Sequence, residues 1–256
     1  MWYRTIEMVQ LGPLHIRVWG LMVGAGVAAG LFLAARLARR RGVDEHEIWT
    51  LGIVTLAAAI LGSRILWALQ PAVIGKTLAD PLQLIAFWRP GLTLIGGLVA
   101  GVGTGVWFVR RRRLPLGAVA DVVAPGIGLG IGIGRLGCFL TGLHPGLPTG
   151  LPWGIYYLDA FRHPIPLYES LLGFVLLAVG LVMLRRRLPS GVTALAVTLL
   201  YLAGRAGLDL LRAPSVPGAD PRLLSGVTLT QALALFLGPL GVGLLVARML
   251  RPSRGS

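Results

Sequence analysis

The chain has 256 residues, of which 55% are hydrophobic and only 13% are charged. Its mean hydropathy of +0.77 lies far from that of a soluble domain, so the composition predicts a polytopic membrane protein. The net charge is +14, which in a soluble protein would point to nucleic acid. Here the arginines stand in short runs between apolar segments, a pattern typical of membrane topology. We therefore expect no nucleic-acid partner.

Cysteine and histidine usage argues against a metal or a disulfide. The single cysteine, Cys138, excludes an internal disulfide. The four histidines have no cysteine partners at metal-ligand spacing. We therefore expect neither a metal nor a cofactor.

Seven apolar segments follow one another along the chain. The residues before them are mildly amphipathic and lack the features of a removable signal peptide, so they are predicted to form an interfacial arm. Each segment can cross about 30 Å of hydrocarbon, the shortest with help from flanking residues. The predicted spans are 18–35, 48–69, 91–109, 117–140, 166–184, 192–211 and 228–247. The sequence thus predicts one all-α membrane domain over 1–256, with an arm at 1–17, a seven-helix bundle at 18–249 and a basic tail at 250–256.

Runs of arginine follow every second predicted span. They lie at 36–41, 110–113, 185–187 and 248–254. Arginines in short loops favour the cytoplasmic side of a membrane, so the pattern places the N-terminus outside and the C-terminus in the cytoplasm. The loops then predicted on the outer side are 70–90, 141–165 and 213–226.

Arg135 is the most unusual charge in the chain, because it lies within the apolar stretch GIGLGIGIGRLGCFL at 126–140. A guanidinium at membrane depth costs at least a few kcal/mol, and it is normally retained because it faces a polar cavity, a carboxylate or an anionic ligand. The glycines around it let another backbone or a lipid headgroup approach closely. We interpret the stretch as a site. The alternative is a packing helix whose arginine is neutralised by a carboxylate elsewhere.

Other charges at membrane depth are mostly basic. The basic residues are Arg64, Arg135, Arg205 and Arg212, and the acidic ones are chiefly Asp121, Glu169 and Asp209. Such an excess attracts phosphate, because a guanidinium presents a planar fork of donors and keeps its charge. In the alternative interpretation, Arg205 pairs with Asp209. Arg135 then pairs with Glu169, which would not forbid a phosphate site made by the same residues.

Three further side chains are candidates for acid–base or thiol chemistry. His163, in RHPIPLYE at 162–169, can act as a general base near neutral pH or as a hydrogen-bonding interface residue. His144, in HisProGly, is a second candidate acid or base. Cys138 is a catalytic thiol or, in the alternative that we favour, a small packing residue.

Together these motifs resemble the bacterial prolipoprotein diacylglyceryl transferase family, in the right order along most of the chain. The matching stretches are IRVWGLM at 16–22, LGSR at 61–64, GLTLIGGL at 91–98, GRLGCF at 134–139, RHPIPLYE at 162–169, the Tyr-x3-Arg-x3-Asp set of Tyr201, Arg205 and Asp209, and SGVTLTQ at 225–231. This family transfers the diacylglyceryl group of phosphatidylglycerol to the thiol of a lipobox cysteine and releases glycerol 1-phosphate.

The resemblance implies roles for particular residues. Those expected to be catalytic are Arg135, Arg205 and His163. Those expected to bind substrate are Arg64, Arg135, Gly96, Gly97, Tyr168, Glu169, Tyr201 and Asp209. The implied partners are phosphatidylglycerol, a prolipoprotein lipobox peptide and membrane lipids, and the implied location is the bacterial inner membrane, as a multi-pass protein.

The departures from the family pattern fall on the chemistry. Ile95 stands at the family histidine, and Cys138, Thr141 and Leu143 stand at two asparagines and a glutamate. The remaining candidates for the base are His163, His144, Asp209, Glu169 and the departing phosphate. Two other interpretations stay open. One is a relative that keeps the phospholipid cavity but has lost or changed the transfer, and the other is a transporter of an anionic solute, which inverted repeats would support.

The arginine pattern predicts which loops face the outside. In a Cys138→Ser background, a cysteine introduced by Arg112→Cys should react with a membrane-impermeant maleimide only after the cells are opened. The control, Gly150→Cys in the loop at 141–165, should react in intact cells. Labelling at position 112 from the outer face of intact cells would reverse the predicted orientation.

Overall fold

The computed structural model describes residues 4–12, 14–86, 91–157, 159–186, 188–214 and 226–250. The helices in these ranges are α1 (Val18–Ala38), α2 (Glu45–Ala68), α3 (Ile74–Ala79), α4 (Leu94–Arg111), α5 (Leu116–Leu140), α6 (Ile165–Arg185), α7 (Val192–Asp209) and α8 (Leu229–Leu250). Two antiparallel hairpins accompany them, formed by β1 (Met8–Leu11) with β2 (Leu14–Arg17) and by β3 (Ile155–Tyr157) with β4 (Ala160–Arg162). Short 3-10 turns lie at Arg39–Arg41 and Pro81–Leu84.

Each predicted span coincides with a helix of the described chain. Six of these helices, α1, α2, α5, α6, α7 and α8, are long and apolar enough to cross a membrane. The span predicted at 91–109 is α4, which is less apolar because it is rich in glycine and ends in two arginines. The all-α, multi-pass architecture is therefore confirmed. The predicted arm at 1–17 contains the β1–β2 hairpin, and residues 251–256 of the predicted tail lie outside the described residues.

Helix α5 lies at the centre of the bundle, with extensive contacts to α1 and α6. Glycines make the α1–α5 contact possible: a Cβ added at Gly26, Gly30 or Gly126 would collide with a facing backbone carbonyl. Close backbone approach of this kind is a usual source of helix association in membranes, where lipid tails are as apolar as the side chains. The outward faces carry large exposed apolar side chains, and α8 has no buried residue among those described. These faces suit a hydrocarbon solvent.

A second helix pair, α2 and α4, stands partly apart from the centre. The two helices pack tightly through Gly62 and Gly96, where an added Cβ would meet the facing helix. In contrast, α4 makes only a narrow contact with α5. An apolar cavity of about 700 Å³ lies between the α2–α4 pair and the α1–α5 pair.

Asp121 ties three elements together at one end of the bundle. Its carboxylate is fully buried and accepts hydrogen bonds from the backbone N–H groups of Gly191 (2.8 Å) and Ala194 (2.9 Å), in the first turn of α7. Arg41 Nη2 lies 3.6 Å from the same carboxylate, and Arg41 Nη1 donates to the Leu188 carbonyl. The carboxylate therefore satisfies the free N–H groups at the start of α7 and balances the charge of Arg41.

Asp121→Asn should destabilise the fold, because it leaves the largely buried Arg41 side chain without a counter-charge. We expect a loss of about 3 kcal/mol, measured by thermal unfolding in detergent. Glu45→Gln is the control: Glu45 also pairs with an arginine, Arg39, at 3.5 Å, but that arginine's side chain is 82% exposed. That variant should unfold near the wild-type temperature. Equal effects of the two substitutions would contradict a structural role for Asp121.

Candidate functional site

Charged side chains from α5, α6 and the end of α7 converge at the other end of the bundle. Glu169 is buried near the start of α6, and its carboxylate contacts three guanidinium groups. Oε2 lies 3.0 Å from Arg135 Nη1. Oε1 lies 3.1 Å from Arg205 Nε and 3.0 Å from Arg212 Nη2. Consecutive helices run in opposite directions, so residues near the end of α5, the start of α6 and the end of α7 meet at one level.

Asp209 completes this group. It forms an ion pair with Arg205, lies 3.7 Å from Arg212 Nε and accepts a 2.6 Å hydrogen bond from the Thr228 hydroxyl. We call Arg135, Arg205, Arg212, Glu169 and Asp209 the arginine cluster. Among the described residues, three guanidinium groups face two carboxylates, so these five side chains have a formal charge of +1. A guanidinium group keeps its charge at neutral pH, so all three arginines are cations.

Arg135 is the most accessible cation of the cluster. Its side chain is 25% exposed, against 5% for Arg205 and 7% for Arg212. Its ion pair with Glu169 runs through Nη1. The rest of the planar guanidinium fork can therefore donate to an incoming ligand, and phosphate oxygens match that geometry.

The structure contains both ion pairs that the sequence offered as the alternative to a phosphate site, and a further arginine joins them. Arg135 pairs with Glu169 and Arg205 pairs with Asp209, as that interpretation required. Arg212, which the sequence places at membrane depth without a role, also joins the cluster. Its spacing of three residues from Asp209 is the signal that could have identified it, since such a spacing puts both side chains on one face of a helical turn.

Thr228 is a second site residue that sequence reasoning missed. Its backbone N–H donates to Gln231 Oε1 (3.0 Å), and its hydroxyl oxygen accepts from the Gln231 backbone N–H (3.2 Å). This reciprocal arrangement is a capping box at the start of α8. Because the Thr228 hydroxyl also donates to Asp209, the cap fastens α8 to the arginine cluster. The ThrLeuThrGln spacing in the sequence is the signal for it.

Tyr201 contacts the cluster, and Tyr168 precedes the cluster residue Glu169 in the chain. Tyr201 is within hydrogen-bonding reach of Arg205, one turn further along α7. The Tyr168 hydroxyl accepts a 2.7 Å hydrogen bond from Trp153 Nε1 and lies 3.3 Å from His163 Nδ1. Tyr168, the residue before Glu169, therefore contacts His163 and Trp153, which lie on either side of the β3–β4 hairpin in the chain.

Arg64 lies away from the cluster. Its buried guanidinium donates to the backbone carbonyls of Gln83, Ala86 and Gly91, at 2.5 to 2.9 Å, and stacks over the Trp67 ring. These contacts fasten the segment between α3 and α4 onto α2. A substrate-binding role for Arg64 stays a prediction.

Gly96 and Gly97 pack against α2. An added Cβ at Gly96 would meet the Gly62 carbonyl, and one at Gly97 would meet the Ser63 hydroxyl. Ile95, at the position of the family histidine, is exposed on the same turn. The structure gives the two glycines a packing reason, and their proposed contact with substrate stays a prediction. Cys138 is a buried free thiol.

This arrangement defines an integral membrane protein with a cationic site suited to an anionic group. The family model described as prolipoprotein diacylglyceryl transferase matches residues 7–247. Three relatives bear the name phosphatidylglycerol–prolipoprotein diacylglyceryl transferase. That of Synechococcus elongatus is 32% identical over 252 residues, covering 92% of this chain and 85% of its own. Those of Geobacter sulfurreducens and Chromohalobacter salexigens are each 33% identical, covering 93% of this chain and 94% and 90% of their own.

The chain therefore belongs to the prolipoprotein diacylglyceryl transferase family. The resemblance predicted from the motifs is confirmed, and it extends over nearly the whole chain.

Glu169→Gln should reveal the surplus charge of the cluster. The change raises the formal charge from +1 to +2 and leaves three guanidinium groups with one carboxylate, so we expect a loss of about 3–5 kcal/mol. An anionic phospholipid should recover more stability in the variant than in the wild type, because a bound headgroup replaces the missing charge. Thermal unfolding in detergent, with anionic or zwitterionic phospholipid added, measures both effects.

The control is Glu45→Gln, which removes a carboxylate paired with the largely exposed Arg39 at 3.5 Å. It should change neither the stability nor the lipid response. Equal stabilisation of wild type and Glu169→Gln by the anionic lipid would contradict an anion site at the cluster.

Proposed function

We propose that this protein transfers the diacylglyceryl group of phosphatidylglycerol to the thiol of a lipobox cysteine in a prolipoprotein, within the bacterial inner membrane. One observation carries the proposal: three guanidinium groups surround the buried carboxylate of Glu169, and the Arg135 side chain among them is partly exposed. The names of the relatives agree with this substrate pair. Membrane lipids would surround the apolar outer faces of the bundle.

The proposed reaction develops negative charge that the arginines of the cluster can stabilise. The thiol sulfur attacks the diacylglyceryl carbon, the bond from that carbon to the phosphate oxygen breaks, and a thioether forms. Glycerol 1-phosphate leaves with the bonding electron pair, and the thiol gives up its proton. Negative charge on the phosphate therefore grows as the bond breaks. Guanidinium groups fixed beside that phosphate stabilise the transition state more than the ground state.

The contacts of the cluster suggest how its arginines divide this work. Arg135 is the accessible donor and would bind the lipid phosphate directly. Arg205 and Arg212 are more deeply buried and are held by Glu169 and Asp209, so their positions are fixed before substrate arrives. Arg205 would supply the second phosphate contact. Preorganised cations of this kind cost no reorganisation during the reaction.

His163 is the base that the contacts support best. Glu169 is engaged by three guanidinium groups, and Asp209 by two arginines and a threonine hydroxyl. The negative charge of each carboxylate is therefore already balanced by arginines. His163 contacts Tyr168 through Nδ1, which leaves its Nε2 side for proton transfer. His144 and the departing phosphate remain alternatives.

A second candidate function is phospholipid binding without transfer. The observation that favours it is the set of family positions now held by Ile95, Cys138, Thr141 and Leu143. The side chains of Ile95, Cys138 and Leu143 cannot replace a histidine, an amide or a carboxylate as a hydrogen-bonding partner of equal strength.

The two functions separate in one assay. Purified protein is incubated with phosphatidylglycerol and a lipobox peptide, and the peptide is then analysed by mass spectrometry. A diacylglyceryl mass increase supports the transferase, and a peptide with serine in place of its cysteine is the control. Binding of phosphatidylglycerol with an unmodified peptide would leave the binding function and rule out the proposed transfer.

Arg135→Lys should impair turnover although it keeps the charge, because a lysine ammonium cannot reproduce the bidentate guanidinium geometry. We expect a loss of about 2–4 kcal/mol of transition-state stabilisation, or about 30- to 1,000-fold in rate. The rate is measured in detergent at matched folded fraction. Arg41→Lys is the control, since Arg41 also faces a buried carboxylate but lies at the other end of the bundle.

Arg41→Lys should alter stability and not the rate per folded molecule. If Arg135→Lys behaved in the same way, with lower stability and unchanged turnover, Arg135 would be part of the scaffold and not of the site.

A further inference from the structure

Trp153 lies in the turn before β3, where it is 57% exposed and still makes a specific polar contact. Its Nε1–H donates a 2.7 Å hydrogen bond to the Tyr168 hydroxyl oxygen, which lies 3.3 Å from His163 Nδ1. We propose that Trp153 is a positioning residue for the proposed transfer, because it fixes the hydroxyl group that orients the His163 ring. The proposal rests on the proposed function and adds a residue to it.

The backbone of His163 is already fixed relative to the arginine cluster. Its N–H donates to the Leu147 carbonyl at 3.1 Å, and its carbonyl accepts from the Gly146 N–H at 3.0 Å. The same short segment continues the pairing on its other side, where the Leu147 N–H donates to the Leu211 carbonyl at 2.8 Å and Gly146 forms a β-bridge with Arg212. These bonds set where His163 lies. They leave its side-chain torsions free, so the ring needs a partner of its own.

Tyr168 is that partner for the His163 ring. The two rings lie edge to face, with their centroids 6.0 Å apart. For Nε2 to accept the proton of the thiol, the hydrogen of the neutral imidazole must be on Nδ1, where the Tyr168 oxygen can accept it. After the transfer both ring nitrogens carry hydrogen, and Nδ1–H still donates to that oxygen. A third group that orients the base in this way is a usual part of such sites.

Trp153 is suited to hold the Tyr168 hydroxyl in place. An indole N–H is a donor only, so it can bond to the phenol oxygen in one sense. The turn that carries the indole is closed by a 3.0 Å hydrogen bond from the Gly154 N–H to the Leu151 carbonyl, and the Leu151 N–H donates to Thr149 Oγ1 at 3.3 Å. The hydroxyl is therefore held between this turn and the first turn of α6. A tryptophan that only anchors the protein at the membrane interface needs its ring and no such partner.

The first experiment compares Trp153→Phe with Trp107→Phe. Phenylalanine keeps an aromatic ring and removes the N–H, and Trp107, on α4, is a matched control because it is 59% exposed. With phosphatidylglycerol and a lipobox peptide, Trp153→Phe should lower kcat about fivefold, as expected for the loss of one hydrogen bond between neutral groups, and should leave the KM for the peptide unchanged. Trp107→Phe should keep both values. A raised KM with wild-type kcat would make Trp153 a peptide contact and overturn the proposal.

Tyr168→Phe removes the same hydrogen bond from its other side. This variant should lower kcat at least as much as Trp153→Phe does. The double variant should be no slower than Tyr168→Phe alone, because the two residues act through one contact. Losses that multiply in the double variant would show independent roles and would also overturn the proposal.

A second readout does not depend on turnover. In protein with nitrogen-15 in its histidine rings, the Nδ1 resonance of His163 is assigned by its loss in His163→Gln. Trp153→Phe should shift this resonance, and Trp107→Phe should leave it in place. A resonance that is unchanged in Trp153→Phe would overturn the proposal. A wild-type protein that shows the shift on substitution but modifies no peptide would refute the proposed transfer alone.

Discussion

One carboxylate, that of Glu169, makes it possible for three guanidinium groups to lie together inside an apolar bundle. Arg205 and Arg212 are buried, and Arg135 is partly buried; the loss of hydration that this entails is offset by close opposite charge and hydrogen bonds. Glu169 supplies this to Arg135, Arg205 and Arg212, and Asp209 supplies it again to two of them. The arrangement of α5, α6 and α7 at this end of the bundle depends on that shared charge. Through Thr228, the start of α8 depends on it as well.

The Asp121 network shows why the arginine cluster is more than a structural device. It too buries an arginine against a carboxylate, but there one cation faces one anion, and backbone N–H groups complete the coordination. Such a network is balanced and needs no ligand. Among the described residues, the cluster joins three guanidinium groups to two carboxylates, and its least buried member is an arginine. An unbalanced charge at membrane depth is costly, so a function that requires an anion accounts for it.

Much of the fold follows from local sequence, because span length and arginine runs are local properties. The sequence also allows the ion pair of Arg135 with Glu169 to be predicted, because it contains few carboxylates at that depth. Contacts between residues that are distant in the chain cannot be predicted from the sequence in this way. The packing of Gly96 against Gly62 and the position of Arg64 under the α3–α4 segment need the mutual placement of helices. The large cavity arises because α4 and α5 barely touch, which no single segment encodes.

Under the proposed function, Glu169 competes with the lipid phosphate for Arg135, and this competition favours the transition state over the bound lipid. Glu169 Oε2 pairs with Arg135, while Oε1 pairs with Arg205 and Arg212. Under the proposed function, a lipid phosphate competes with Oε2 for Arg135, and Glu169 stays paired through Oε1 during the exchange. A phosphodiester has a single negative charge and competes modestly with a carboxylate. The departing phosphate monoester gains charge as the bond breaks, so Arg135 binds it more strongly than the ground-state lipid, and this difference is what lowers a barrier.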